Sequence, residues 1–284
     1  MSLKTYSYKD LINTALDFTC FCKNELKIDN LAGSWIIEAI RYVKNLSKTL
    51  GDEEAKTEYL RLNNQNSECL WSLTQLMELD FVYNNIMKTG KLDQRVLKTK
   101  VRKIIKAPFL PIDETRNTNE SRNTLFELVL LGELLNHNYD AVIPPSDHPD
   151  IEVVVNNYTY AIECKRIFET KTFIRNFNRA KNQLENYSLN GQKYDYGIIT
   201  INTTRVFNKG DKLLAAKDGV EAKKKALDEL QSLFERYKNQ IFGSRNLRIP
   251  TMFLHLSTPV VLEKQNPYLA WGHFLTICET SNPS

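Results

Sequence analysis

The sequence predicts an α/β fold: a mixed β-sheet flanked by helices and preceded by an all-helical N-terminal domain. Three observations lead there. Up to about Lys106 apolar residues recur at three- and four-residue steps, as in Trp35, Ile36, Ala39, Ile40 and Val43, and proline is absent until Pro108. Beyond the polar, proline-bearing run APFLPIDETRNTNESRN, strand-like and helix-like segments follow in the order α-β-β-β-α-β-α-β. The break between these two patterns divides the chain into a helical domain over 1–109 and a sheet-bearing domain over 110–284.

The helical part reads as SYKDLINTALDFTCFCKNEL, GSWIIEAIRYVKNLSKTL, NSECLWSLTQLMELDFVYNNIMK and LDQRVLKTKVRKIIK, punctuated by Gly33, Gly51 and Gly90. The second domain opens with TLFELVLLGELLNHN, apolar on most sides as a helix buried against a sheet should be. Thr124 followed by Glu127 has the spacing of a capping box at its start. DAVIPP, IEVVVNN and YTYAIECKRI are then strands, with Asn156-Asn157 as the hairpin turn between the last two. A helix from about Lys171 to Tyr187 follows. After it come a strand (YDYGIITINTT), a lysine-rich helix from about Val220 to Asn239, a strand (IPTMFLHLST) and a last apolar piece (WGHFLTICE).

Bulk properties narrow the class. The 284 residues are 42% hydrophobic and 25% charged, enough for packed cores and unlike a disordered chain. A formal net charge of +4 is compatible with a polyanionic partner without arguing for one. The five cysteines (Cys20, Cys22, Cys69, Cys164 and Cys278) are odd in number and without zinc-site spacing, and the four histidines are scattered. Charges within the first ten residues, with no signal-like apolar stretch and no run long enough to span a bilayer, give the expectation of a soluble, reduced, cytoplasmic protein without a membrane partner.

The chemistry concentrates in HPDIEVVVNNYTYAIECKR, His148 to Arg166. Strand alternation places Tyr160, Ile162 and Cys164 on one face and Thr159, Ala161, Glu163 and Lys165 on the other. A hairpin about Asn156-Asn157 brings Asp150 to Glu163. Two carboxylates held together repel unless a proton or a cation lies between them, and hard oxygen ligands of this kind suit magnesium. Taken singly, Asp150 is also explained as a strand-start turn residue, Glu163 and Lys165 as a surface ion pair, and Glu127 as a cap. Glu133 competes with Glu127 on the same helix, and Glu152 shares strand parity with Asp150.

Pro149-Asp150 followed by Glu163-Cys164-Lys165 resembles the signature of the PD-(D/E)xK, or restriction-endonuclease-like, nuclease superfamily. Members often carry a glutamate on the preceding helix about three turns before a Gly-aromatic pair. Here Glu127 precedes Asn138-Tyr139, where asparagine replaces the glycine and can also adopt a left-handed conformation. Some branches carry Gln-x-x-x-Tyr on the next helix, which Gln183 and Tyr187 match. The resemblance covers about Leu110 to Thr258 and does not reach the helical N-terminal third.

The resemblance implies a magnesium-dependent nuclease, with manganese able to substitute, that hydrolyses phosphodiester bonds of nucleic acid. DNA is the expected substrate and endonuclease the expected mode, in a setting such as restriction or phage defence. It implies that Asp150, Glu163 and the Cys164 carbonyl bind the metal, that Glu127 completes the shell directly or through water, and that Lys165 acts on the attacking water. Gln183 and Tyr187 would steady the Lys165 region or the substrate phosphate. A nuclease making two cuts would favour a homodimer. The alternative on the same fold is a catalytically inactive nucleic-acid-binding or assembly module.

Two basic features stand outside the resemblance. Arg95, Lys98, Lys100, Arg102, Lys103 and Lys106 form a segment without an acid among them, either a solvated helix face or a phosphate-contacting surface. Lys171, Arg175, Arg179 and Gln183 follow at four-residue steps along one helix face, whereas Lys223-Lys224-Lys225 reads as a charged helix face.

Overall fold

Alternation of apolar residues with period two builds one sheet, and helices with apolar stripes cover both its faces. The computed structural model describes residues 4–49, 67–109, 113–115, 119–144, 149–189, 194–209, 214–243, 249, 251–264 and 269–279. In chain order the elements are β1 (Lys4–Thr5), α1 (Tyr8–Asn24), α2 (Trp35–Thr49), α3 (Ser67–Val82, continued by a π-helical turn Tyr83–Met87), α4 (Gln94–Ile104) and α5 (Asn119–Asn136). They continue as β2 (Asp140–Val142), β3 (Ile151–Val155), β4 (Tyr158–Arg166), α6 (Phe173–Leu189), β5 (Tyr196–Asn202), the single turn α7 (Thr204–Phe207), β6 (Leu214–Ala216), α8 (Gly219–Gly243), β7 (Thr251–Leu262) and β8 (Leu269–Glu279).

The strands lie in the order β1-β8-β7-β5-β4-β3-β2. The pairs β4/β5 and β5/β7 are parallel, while β2/β3, β3/β4, β7/β8 and β1/β8 are antiparallel. The long strand β7 changes neighbour along its length. Thr251 to His255 pair with β5, and Val260 to Leu262 pair in parallel with β6. Pro259 stands at that exchange, where the N–H that proline lacks is not needed by either ladder. The mixed α/β architecture with an N-terminal helical region is therefore as the sequence implies, and the last apolar piece is a full strand.

One apolar cluster fills the face covered by α1 to α5, and it includes Phe18, Trp35, Val101 and Leu128 together with Ile151, Ile162, Cys164 and Trp271 from the sheet. A second cluster packs α6 and α8 on the opposite face through Phe173, Phe177, Leu230, Ile199 and Leu254. The helices of the stretch 1–109 thus share a core with strands of the stretch 110–284, and β1 pairs with the edge of β8. Of the linker expected over 107–123, residues 110–112 and 116–118 lie outside the described residues.

One expectation at this point is corrected. α5 begins at Asn119, so Thr124 is a buried residue inside the helix and not its cap. The polar residues Asn119 to Asn123 extend the helix because Ser121 and Arg122 are themselves buried, with Arg122 donating to the carbonyls of Pro108 and Phe109. Among the described residues no helix is long and apolar enough to cross a membrane.

A buried charge network ties the helical layer to the strand ends. The Glu114 carboxylate accepts from Arg166 at the end of β4 and lies 3.6 Å from both Arg122 of α5 and Arg205 of α7. Nearby, the Trp271 indole donates to Ser257, whose hydroxyl donates to Glu78 of α3 at 2.5 Å. The network connects α3, α5, β4, β7 and β8 through buried charges and dipoles, whose interactions are strengthened by the low local dielectric.

Candidate active site

The β3–β4 hairpin supplies the first part of the site. Asn156 and Asn157 both adopt positive φ (51° and 67°), the conformation that lets a two-residue turn match the twist of its strands. The register pairs Ile151 with Ile162, which brings Asp150, immediately before β3, to Glu163. The backbone N–H of Cys164 donates to Asp150 Oδ2 at 2.7 Å, and Asp150 lies close enough to Glu163 for its charge to raise that carboxyl. Asn138, between α5 and β2, also has positive φ (60°), in keeping with its place where a glycine would serve.

Glu163 is 1% exposed. Lys165 Nζ donates to Glu163 Oε1 at 2.7 Å and to the Cys164 carbonyl at 3.1 Å. From the other side α6 contributes Tyr187, whose hydroxyl donates to Glu163 Oε2 at 3.3 Å. Gln183, one turn earlier on α6, hydrogen-bonds Tyr187, while its Oε1 is buried without a protein partner. Gln183 and Tyr187 therefore act on Glu163, and through it on Lys165.

α5 brings Glu127, 4% exposed, to the same place. Lys100 of α4 donates to Glu127 Oε2 at 2.5 Å and Asn123 donates to Oε1 at 2.8 Å. Glu133, the competing acid, points elsewhere: its carboxylate lies 3.4 Å from His273 and 3.8 Å from His137. Glu152 is likewise not part of the cluster, because it hydrogen-bonds Tyr194. Lys171 pairs with Glu169, and Arg175 and Arg179 are exposed on α6.

The electrostatics follow from crowding three acids under helices. Burial first, then the charge of Asp150, pushes the Glu163 carboxyl up to about 8, against the pull of Lys165. The same two causes in the same order raise Glu127 to about 7 despite Lys100. Burial opposes the charge of Lys100, but Glu127 more than offsets this and holds its ammonium above the usual lysine range. Burial pushes the Cys164 thiol well up, so its side chain is a neutral core group while its backbone serves the site.

Asp150 and Glu163 are a close acidic pair with the Cys164 carbonyl beside them, and this donor set suits a hard divalent cation. Among the described residues, however, no group of three or more His, Cys, Asp or Glu side chains is arranged to hold a metal. Both oxygens of Glu127 are engaged, by Lys100 and Asn123, as both of Glu163 are, by Lys165 and Tyr187.

A cleft of about 490 Å³ opens beside the acids, lined among others by Arg95, Lys100 and Lys103 of α4, by Glu127, and by Asp150. The sequence pattern placed Lys100 only within a basic segment and gave no role to Asn123. The signals were present: an acid-free helix, and an asparagine four residues before the buried glutamate. What could not be read was that α4 lies against α5. Comparisons of the chain with known protein families, with curated proteins and with solved structures find no match.

Proposed function

We propose that the protein is a metal-dependent nuclease that hydrolyses phosphodiester bonds, with magnesium, or manganese in its place, held by Asp150, Glu163 and the Cys164 carbonyl. The observation that carries this reading is the hairpin that sets Asp150, Glu163 and Lys165 against one another beside an open cleft. A bound divalent cation supplies a more acidic water and neutralises charge on the phosphate. Lys165, anchored by Glu163 and the Cys164 carbonyl, presents an ammonium that orients the attacking water and faces the charge that develops on phosphate. Tyr187 holds Glu163, and Glu127 holds Lys100 at the edge of the site. DNA is the first substrate to test, and internal cutting is the mode to test, with a circular molecule that has no ends.

Purified protein with magnesium or manganese is expected to cut linear and circular DNA. Lys165→Ala is expected to abolish cutting while leaving the circular dichroism spectrum intact. Cutting that persists in that variant removes the assignment.

A second reading, an inactive nucleic-acid-binding module, is favoured by the engagement of both oxygens of Glu127, by Lys100 and Asn123, and of Glu163, by Lys165 and Tyr187. Calorimetric titration with manganese separates the two. The nuclease takes up the ion in a manner lost in Asp150→Asn, and the inactive module does not take it up.

A further inference from the structure

The cleft beside the acids is polarised. Every cation of its lining comes from α4: Arg95, Lys100 and Lys103. The facing wall at Ile143, Pro144 and Pro149 is apolar, and its prolines have no N–H to offer. Leu97, Val101 and Ile104 bury the opposite side of α4 in the core, so the helix cannot turn its basic side away. Arg102 and Lys106 continue the positive charge on the exposed surface, and α4 itself contains no acid.

We propose that α4 is a phosphate rail: a nucleic-acid strand lies in this cleft with its backbone against Arg95 and Lys103 and leads to Asp150. This rests on the nuclease reading for what happens at Asp150, but not for the binding itself. From Arg95 to Lys103 the helix rises about 12 Å, the axial rise of roughly three to four base pairs of a duplex. Lys100, between them, is tied to Glu127 and so fixes the rail to the acidic cluster. Lys103 is free to exchange partners, because its pair with Glu120 at 2.7 Å is exposed on both sides and readily replaced by phosphate. The lining carries no aromatic ring on which a base could stack, so contact falls on the backbone and binding is indifferent to sequence.

The test uses the full chain with a chelator present, so that nothing is cut, and measures anisotropy of a labelled duplex and a labelled single strand over a series of salt concentrations. Arg95→Ala/Lys103→Ala is compared with Lys223→Ala/Lys224→Ala on the remote helix α8, both checked for unchanged thermal melting. The α4 variant is expected to lose about tenfold or more in affinity, and its salt slope is expected to fall by about two. The α8 variant is expected to bind as the unaltered chain does. Equal binding by the α4 variant, equal loss in the α8 variant, or no binding by the unaltered chain overturns the proposal. Cutting in magnesium without α4-dependent binding would remove the rail and leave the nuclease. Binding that depends on α4 without cutting would leave the rail and remove the nuclease.

Discussion

The backbone N–H of Cys164 donates to the carboxylate of Asp150 at 2.7 Å, so the residue that precedes β3 is fastened to the residue between Glu163 and Lys165. The bond holds one acid in place beside another that it repels. It adds to the register of the hairpin, in which Ile151 opposite Ile162 already sets Asp150 across from Glu163. Repulsion is therefore built into the folded state and is available to any cation that enters.

Asp150→Asn keeps an acceptor for Cys164 and removes the charge. The carboxyl of Glu163 is expected to titrate lower than its value of about 8, and that of Glu127 lower than about 7, in a carbon-13 NMR titration. Asp150→Ala also orphans the Cys164 N–H and is expected to be less stable than Asp150→Asn by about 1–3 kcal/mol in urea. Unchanged titration of Glu163 would show that Asp150 does not act on it.

Stability should depend on pH through the same acids. Their folded-state values, about 7 and about 8, lie above the ordinary glutamate value, so the folded protein binds more protons than the unfolded chain between about pH 4.5 and 8. Their contribution is thus fully present below that window and is lost as pH rises through it. The melting temperature is expected to fall from pH 6 to pH 9, and Glu127→Gln/Glu163→Gln should flatten that decline. On the acid side, burial depresses His273 to about 3 and His255 well below its usual range, so stability falls again as pH drops below about 6.5.

Lys100→Met leaves Glu127 buried without its cation. Near pH 6 Glu127 carries a proton and the substitution is expected to be mild. At pH 9 the unpaired carboxylate should cost about 3 kcal/mol or more in urea denaturation. A loss that is the same at both pH values would show that Lys100 contributes only packing.

Glu114→Gln tests the network behind the sheet. It preserves shape and removes the only negative charge in direct contact with Arg122, Arg166 and Arg205 among the described residues. The expected destabilisation is about 3–5 kcal/mol, read as a lower urea midpoint with little change in m-value.

The hairpin and its acids were legible because strand parity and a two-residue asparagine turn are local rules. Glu127 could be chosen over Glu133 because apolar neighbours surround it, and Glu133 indeed turns toward the histidines. The start of α5 was misplaced because Ser121 and Arg122 look like linker residues until Arg122 is seen to bond the carbonyls of Pro108 and Phe109. Glu78 and Glu114 were invisible as network residues, and Lys100, read only as one of a basic segment, was invisible as the partner of Glu127. Apart from Arg122, eight positions from Glu114, their partners lie far away in the chain, 27 positions for Lys100 and Glu127, 52 for Glu114 and Arg166 and 179 for Glu78 and Ser257, and no local pattern encodes such pairings. The division at residue 109 marks a change of local pattern, whereas the apolar contacts run across it.

The turn at Asn156 and Asn157 has a consequence for what can vary. Asp150 precedes it by as many residues as Glu163 follows it, so the two acids meet by symmetrical counting from a left-handed pivot. The intervening side chains can be exchanged for others of similar size and polarity, but a single residue added to or removed from either arm would turn one acid to the opposite face of the sheet. Length, more than composition, is the quantity this hairpin has to preserve.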